Sequence, residues 1–91
     1  MNRAELDVEI CNELGLHLRA AAAFVKVAEK FRSEIQLERD GQRANGKSII
    51  SLVTLAATQG TAVRVIAEGP DASDAAAELA TLVRDRFGED R

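Results

Sequence analysis

The sequence contains one cysteine, one histidine and three phenylalanines among its 91 residues, and it has no tryptophan or tyrosine. A single cysteine excludes an internal disulfide, and one cysteine with one histidine leaves a zinc site without enough ligands. A hydrolytic triad would have to be assembled from scattered parts, because no carboxylate partner for the histidine is evident. We therefore expect no metal, no cofactor and no hydrolase activity.

Long apolar runs and an excess of basic residues are also absent. No segment approaches the roughly 20 apolar residues that span a membrane, and the first ten residues lack the apolar region of a signal peptide. The formal net charge of −3 argues against non-specific binding to nucleic acids or anionic membranes. We expect a cytoplasmic monomer with one domain over residues 1–91, a core from about residue 5 to 87 and a frayed tail over 88–91.

Hydrophobic periodicity divides the chain into seven elements. Apolar and polar residues alternate in three stretches, and an Asp40-Gly41 hairpin signal adds a short return strand. Apolar residues at helical spacing, together with cap signals, predict three helices. The predicted strands cover Glu5–Cys11, Ser33–Arg39, Gln42–Ala44 and Thr61–Glu68. The predicted helices cover Arg19–Phe31, Ser48–Thr58 and a last segment that Asp71 caps and Gly88 ends. The order β-α-β-β-α-β-α indicates a two-layer α+β domain, with three helices on one face of a four-stranded, mainly antiparallel sheet.

The segment Ser48–Thr58, SIISLVTLAAT, fits two structures. Its β-branched residues favour a strand, whereas its length and the serine at its start favour a capped helix. We interpret it as a helix. Such a helix would be apolar around most of its circumference, so it is either fully buried or presents one apolar flank to a partner.

Residues 41–48, GQRANGKS, match the phosphate-binding pattern G-x-x-x-x-G-K-[ST] of nucleotide hydrolases. That pattern would place Lys47 on the phosphates and Ser48 on magnesium. We reject this interpretation because such enzymes have a parallel sheet with helices on both faces, and this chain is too short to build one. The Asp40-Gly41 turn also makes residues 42–44 a strand rather than a phosphate-binding loop.

The stretch Gly15–Phe31, GLHLRAAAAFVKVAEKF, contains the only histidine, at the point where the first helix should begin. Amide groups in the first turn of a helix lack intrahelical partners, and the helix dipole favours negative charge there. Arg19 lies two residues after His17 and can neutralise a phosphate through a bidentate contact. The residues alone leave two interpretations open: a nucleophilic histidine that accepts a phosphoryl group, or a surface or capping histidine.

This stretch and the segment SEIQLERDGQRANGKSIISLVTLAATQG resemble the HPr family, the histidine-containing phosphocarriers of the bacterial phosphotransferase system. The resemblance runs from about Glu5 to Val83 and implies an open-faced β-sandwich. It also implies that Enzyme I, phosphorylated by phosphoenolpyruvate, transfers a phosphoryl group to Nδ1 of His17, and that an Enzyme IIA domain receives it next. Arg19 then corresponds to the arginine that stabilises the phosphate. The protein would be a carrier in sugar transport rather than a stand-alone enzyme.

The resemblance further implies a regulatory site and a partner surface. Ser48 corresponds to the serine that HPr kinase/phosphorylase modifies in some bacteria; the alternative is a plain helix cap. The expected partner surface has an apolar centre and a basic rim. It comprises Leu18, Arg19, Ala22, Lys26, Lys47, Ile49, Ile50 and Val53.

Two residues depart from the family's usual motif, GLHARPA. Leu18 replaces a small residue, and Ala20 replaces a proline that would pre-set the first helical turn. We expect the site to survive with slightly looser preorganisation, and the larger Leu18 to affect the partner surface more than the chemistry. These departures motivate a second hypothesis, in which the chain is a regulatory module whose phosphorylation state controls partner proteins without sugar import.

Overall fold

The computed structural model describes residues 2–91. Four strands and three helices follow the predicted order, which confirms the α+β fold. The strands are β1 (Arg3–Glu9), β2 (Glu34–Arg39), β3 (Gln42–Asn45) and β4 (Ala62–Glu68). The helices are α1 (Leu18–Ala28), α2 (Ile49–Val53) and α3 (Ala72–Arg84), and a short 3-10 turn, Arg86–Gly88, follows α3.

The four strands form one antiparallel sheet in the order β1-β4-β2-β3. Leu6 of β1 and Leu37 of β2 both lie opposite Val65, so β4 lies between these two strands at the centre of the buried face. Leu37 and Val65 are fully buried, whereas Leu6 on the edge strand is exposed. The alternation in the sequence therefore predicts the buried face well at the centre of the sheet and less well at its edge.

The opposite face of the sheet carries charged side chains and is open. Arg64 donates from Nε to Asp7 at 2.8 Å, and Arg3 donates from Nη1 to Glu68 at 2.8 Å. Exposed ion pairs of this kind contribute little to stability. Their presence shows that this face is solvated, as an open-faced arrangement requires.

Helices α1 and α3 cover the other face of the sheet. Their buried positions are Ala20, Ala21, Phe24, Val25 and Ala28 in α1, and Ala72, Ala75, Ala76, Leu79, Ala80 and Val83 in α3. Most of these are alanines, so the helices lie close to their neighbours and the larger side chains of the strands fill the core. An ion pair between Lys30 and Glu78 joins α1 to α3 at the surface. Within residues 2–91, no helix combines the length and the apolar character needed to cross a membrane.

The second helix is shorter than the sequence predicts. Helix α2 ends at Val53, and the predicted continuation to Thr58 is wrong. Ala56 has a φ of 51°, in the left-handed region, which does not continue a right-handed helix. Arg39 donates from Nη1 to the carbonyls of Leu55 at 2.8 Å and Ala56 at 3.2 Å. A side chain from β2 therefore binds carbonyl groups that a longer helix would have used itself.

The side chain of Asp71 does not cap α3, although the residue precedes that helix as predicted. Its carboxylate instead accepts hydrogen bonds from the amide of Arg32 at 2.9 Å and from the amide and hydroxyl of Ser33 at 2.9 and 2.5 Å. These bonds, the Ser33 hydroxyl above all, lower the pKa of Asp71 from 3.8 to about 2. Asp71 thus binds the loop between α1 and β2 to the start of α3 through these hydrogen bonds.

The residues after α3 form a structured turn where the sequence predicts a helix up to Gly88 and then a frayed tail. Arg86 and Phe87 have φ values of 57° and 54°, and the Phe87 side chain is buried. The carbonyl of Arg91 accepts a hydrogen bond from the amide of Glu13 at 3.0 Å. Residues 86–91 therefore lie against the loop that connects β1 to α1, and we call them the C-terminal strap.

Candidate functional site

The loop before α1 fixes the position of His17. Gly15 has a φ of 69°, and a Cβ atom on it would lie 2.5 Å from the carbonyl oxygen of Ala57. The next amide, of Leu16, donates to that same carbonyl at 2.8 Å. This close approach needs glycine and ties the loop to the segment after α2. His17 follows as the N-cap of α1, in an extended conformation, and its carbonyl accepts the first helical hydrogen bond from Ala21.

The two ring nitrogens of His17 have different partners. Nδ1 accepts a hydrogen bond from the backbone amide of Arg19 at 3.3 Å. Nε2 lies 2.6 Å from a carboxylate oxygen of Glu89. An ionised carboxylate only accepts hydrogen bonds, and an amide N–H only donates them. Both contacts therefore assign the ring proton to Nε2 and leave the lone pair of Nδ1 directed at the N-terminus of α1.

Glu89 is held in place by Asn12. The fully buried Asn12 donates from Nδ2 to Glu89 at 3.0 Å and to the carbonyl of Gly15 at 2.8 Å. Burial of the carboxyl group raises the pKa of Glu89, but hydrogen bonds from Asn12 and His17 and the charge of Arg19 outweigh it, so that pKa lies below its usual range. Glu89 is therefore ionised at neutral pH beside the imidazole.

The side chain of Arg19 lies at the mouth of the site. It lines an open depression of about 580 Å³ together with Glu13, Leu14 and residues 87–91 of the strap. Its guanidinium lies close enough to Glu89 to lower the pKa of that carboxyl group. The site thus brings together an unprotonated ring nitrogen, the positive end of a helix dipole and an exposed cation, groups that favour the binding of an anion.

Helix α2 packs against α1, the helix that His17 caps. Leu18 and Ile50 are 61% and 71% exposed, so two large apolar side chains of these helices are open to solvent. Of the other residues predicted for the partner surface, Arg19, Ala22 and Lys26 are exposed, and Lys47, Ile49 and Val53 are half-buried. The second helix therefore exposes an apolar flank while Leu52 is buried beneath it.

Lys47 and Ser48 do not form a nucleotide-binding loop. Residues 42–45 are strand β3, and the ammonium of Lys47 donates to the carbonyl of Phe31 at 2.8 Å. The hydroxyl of Ser48 accepts from the amide of Ser51 at 3.2 Å and caps α2. Strand β3 thus lies where the pattern would place the phosphate-binding loop.

Asn12 and Glu89 are the two site residues that the sequence analysis does not identify. Asn12 reads as an ordinary loop residue, and Glu89 stands beyond the last helix in a segment that resembles a solvated tail. His17 and Glu89 are 72 positions apart, so no local pattern links them. The nearest signal is weak: a carboxylate one residue after Gly88, in a chain with a single histidine.

Comparison with known proteins decides the family. The family model described as "PTS HPr component phosphorylation site" matches residues 4–85, which is most of the chain. The chain belongs to the HPr family. HPr proteins are phosphocarriers of the phosphotransferase system, and they act as carriers rather than as stand-alone catalysts.

Individual HPr relatives cover nearly the whole chain. The phosphocarrier protein HPr of Neisseria meningitidis serogroup A is 42% identical over 82 residues, which are 90% of this chain and 92% of that protein. The HPr-like protein Crh of Bacillus subtilis is 44% identical over 78 residues, 86% of this chain and 92% of its own. The crystal structure of HPr-C-His from Thermoanaerobacter tengcongensis superposes with a TM-score of 0.91 at 42% identity, over 97% of this chain and 99% of that one.

Proposed function

We propose that the chain accepts a phosphoryl group from phosphorylated Enzyme I on Nδ1 of His17 and passes it to an Enzyme IIA domain. One observation carries this proposal. The contacts of the two ring nitrogens leave the proton on Nε2 and the Nδ1 lone pair at the N-terminus of α1. An unprotonated nitrogen is the nucleophile that phosphoryl transfer needs, and a helix N-terminus stabilises the charge that arrives with it.

The transfer itself depends on positioning and electrostatics. When the phosphoryl group bonds to Nδ1, the amide of Arg19 can donate to a phosphate oxygen instead of to the ring, since it already points at that nitrogen. The exposed guanidinium of Arg19 can then bind the remaining oxygens. Phosphoryl transfer between two histidines requires little more than alignment and charge stabilisation.

The exposed apolar side chains Leu18 and Ile50, with Arg19 and Lys26 near them, form a surface suited to an acidic partner that has an apolar centre. Ser48 lies at the start of α2, on the margin of this surface. We keep it as a proposed site for HPr kinase/phosphorylase, since a phosphate there would reverse the local charge. Incubation of the protein and of Ser48→Ala with that kinase and ATP tests this assignment.

The test of the carrier function is a transfer reaction followed by intact mass. The protein is mixed with phosphoenolpyruvate, magnesium and Enzyme I of the same organism, and its mass is recorded before and after brief acid treatment. We expect one acid-labile phosphate that His17→Gln abolishes, while Ser48→Ala gains it normally. Unchanged phosphorylation of His17→Gln would exclude His17 as the acceptor. Addition of an Enzyme IIA domain should then remove the phosphate from the wild type.

A second candidate is a regulatory module without a role in sugar import. The similarity to the HPr-like protein Crh and the departures at Leu18 and Ala20 favour it. Partners captured by the phosphorylated and unphosphorylated protein distinguish the two candidates. Capture of regulatory proteins without any Enzyme II component would support the regulatory role.

A further inference from the structure

Glu89 contacts Nε2 of His17, whereas the phosphoryl group would be carried by the other ring nitrogen, Nδ1. One of its carboxylate oxygens is 2.6 Å from Nε2 of His17, and the other accepts from Asn12 at 3.0 Å. Asn12 is fully buried and also bound to the carbonyl of Gly15, so it cannot move away from the carboxylate without losing both bonds. Both oxygens of Glu89 are therefore occupied, and one of them is directed at the ring.

The strap is built to hold Glu89 there. Phe87 is buried two residues earlier, and the carbonyl of Arg91 is bound to the amide of Glu13 two residues later. Two consecutive left-handed residues, Arg86 and Phe87, turn the chain back toward His17. Such a conformation is costly for non-glycine residues and persists only where surrounding contacts stabilise it. Glu89 also lies outside residues 4–85, which match the family model, so that match does not account for it.

The proton on Nε2 determines what the phosphorylated ring can do. When Nδ1 of the neutral ring attacks, the N–P bond to the donor histidine breaks, a new N–P bond forms at Nδ1, and the ring becomes positively charged. No proton moves in this step. If the Nε2 proton remains, the ring is a neutral imidazole leaving group when the phosphoryl group is passed on. If that proton is lost, the ring would have to leave as an anion, which is a much poorer leaving group.

We propose that Glu89 is a positioning residue that keeps the proton on Nε2 of the phosphorylated His17 ring, so that the ring remains ready to donate its phosphoryl group. This inference rests on the proposed phosphorylation of His17. An ionised carboxylate at hydrogen-bond distance favours the positively charged form of an imidazole. The ring then accepts and donates the phosphoryl group without gaining or losing a proton at either step.

Other charged groups lie in the depression beside the site. Arg19 of α1, Glu13 of the preceding loop, and Asp90 and Arg91 of the strap line it together with Glu89. The five residues of α2 contribute no charge. The phosphoryl group itself also favours a protonated ring, in every variant alike. The contribution of Glu89 is therefore measured by comparing its loss with the loss of another negative charge from the strap.

The test compares the wild type with Glu89→Gln and with Asp90→Asn, which removes the same charge from a neighbouring residue of the strap. Each protein is phosphorylated with Enzyme I and phosphoenolpyruvate, and the ring ¹⁵N signals of the phosphohistidine are followed as the pH is raised. We expect the phosphorylated ring of Glu89→Gln to lose its Nε2 proton at a pH about 1 unit lower than that of the wild type. Asp90→Asn should titrate like the wild type.

A second measurement follows the consequence for transfer. Above both midpoints, a shift of about 1 unit reduces the protonated fraction about tenfold, so transfer to an Enzyme IIA domain at pH 9 should slow about tenfold in Glu89→Gln. Glu89→Asp should recover part of the rate. Identical titration midpoints in the three phosphorylated proteins would overturn this inference and leave the proposed function intact. If the wild type gains no phosphate at all, the proposed function fails and the inference fails with it.

Discussion

At the scale of single residues, the carboxylate of Asp71 stabilises a junction between two elements rather than the helix that it precedes. Its three hydrogen bonds come from Arg32 and Ser33, which lie almost forty positions earlier in the sequence. Ser33 is fully buried, so its hydroxyl needs this partner. A short side chain of the type that caps helices therefore serves a long-range contact, and only the fold decides which of the two roles it takes.

Asp71→Asn should lower the melting temperature by several degrees at neutral pH, because the amide cannot accept all three hydrogen bonds. The effect depends on pH with a defined sign. The pKa of Asp71 falls from 3.8 to about 2 on folding, so its contribution is complete above pH 3.8 and is lost as the pH falls toward about 2.

Thermal unfolding of the wild type and of Asp71→Asn between pH 2 and 7 measures this dependence. The two melting temperatures should converge as the pH falls through that window. Asp74→Asn, in the first turn of the same helix, is the control and should show a smaller difference. A gap for Asp71→Asn that is constant down to pH 2 would contradict the assignment.

At the scale of elements, β2, β3 and β4 follow the sequence pattern closely, β1 begins and ends two residues earlier than predicted, and α2 ends well before Thr58. Alternating residues define a strand within the sequence itself, and the hairpin at Asp40-Gly41 fixes its own turn. The end of α2 depends instead on Arg39, which binds the carbonyls of Leu55 and Ala56 from another element. No local signal marks that end before Gly60. The sequence therefore predicts which elements exist and leaves their ends to tertiary contacts.

The candidate site likewise combines a local contact with a long-range one. His17 and Arg19 are two positions apart and share one helix turn, so the sequence shows them together. The contact between His17 and Glu89 exists only after the strap has folded back. The candidate nucleophile is therefore predictable from the sequence, whereas the carboxylate that contacts it is not.

The contact between the loop at Gly15 and the segment after α2 leads to a prediction at this scale. Gly15→Ala should destabilise the protein by more than ~1 kcal/mol and displace His17, because the new methyl group would meet the carbonyl of Ala57 at 2.5 Å in a left-handed conformation. Gly60 has a similar φ of 88° with open space around it. Gly60→Ala therefore measures the loss of stability that comes from the left-handed backbone alone.

Urea unfolding of both glycine variants gives the comparison. Gly15→Ala should lose clearly more stability than Gly60→Ala, and it should also accept a phosphoryl group more slowly. Equal losses would mean that the loop moves aside easily, and that the close approach to Ala57 does not position the site.

At the scale of the whole molecule, the charges divide into two faces. The open face of the sheet carries paired charges such as Arg64 with Asp7. The exposed cations Arg19 and Lys26 lie on α1 around the candidate site, although the chain as a whole has a net charge of −3. A net-negative protein with exposed cations around its candidate site can repel most acidic proteins and still approach a suited partner in one orientation.

Lys26→Glu should therefore weaken phosphoryl transfer from Enzyme I at low salt, mainly by slowing association, by about tenfold. Arg64→Glu makes the same charge change on the open face and should have little effect. Initial transfer rates measured from low to high ionic strength check this. The difference between the two variants should shrink as salt screens the docking charges. Equal rates for both at low salt would place the docking surface elsewhere.

The strap also determines how easily a protease can cut the chain near its C-terminus. A trypsin-like enzyme needs several residues in extended conformation around the bond that it cuts. The Arg86–Phe87 bond cannot offer this in the folded state, since both residues are left-handed and Phe87 is buried. Cleavage there requires the strap to lift from His17 first. The rate at which trypsin removes the last five residues is therefore a simple measure of how often the strap leaves the His17 imidazole.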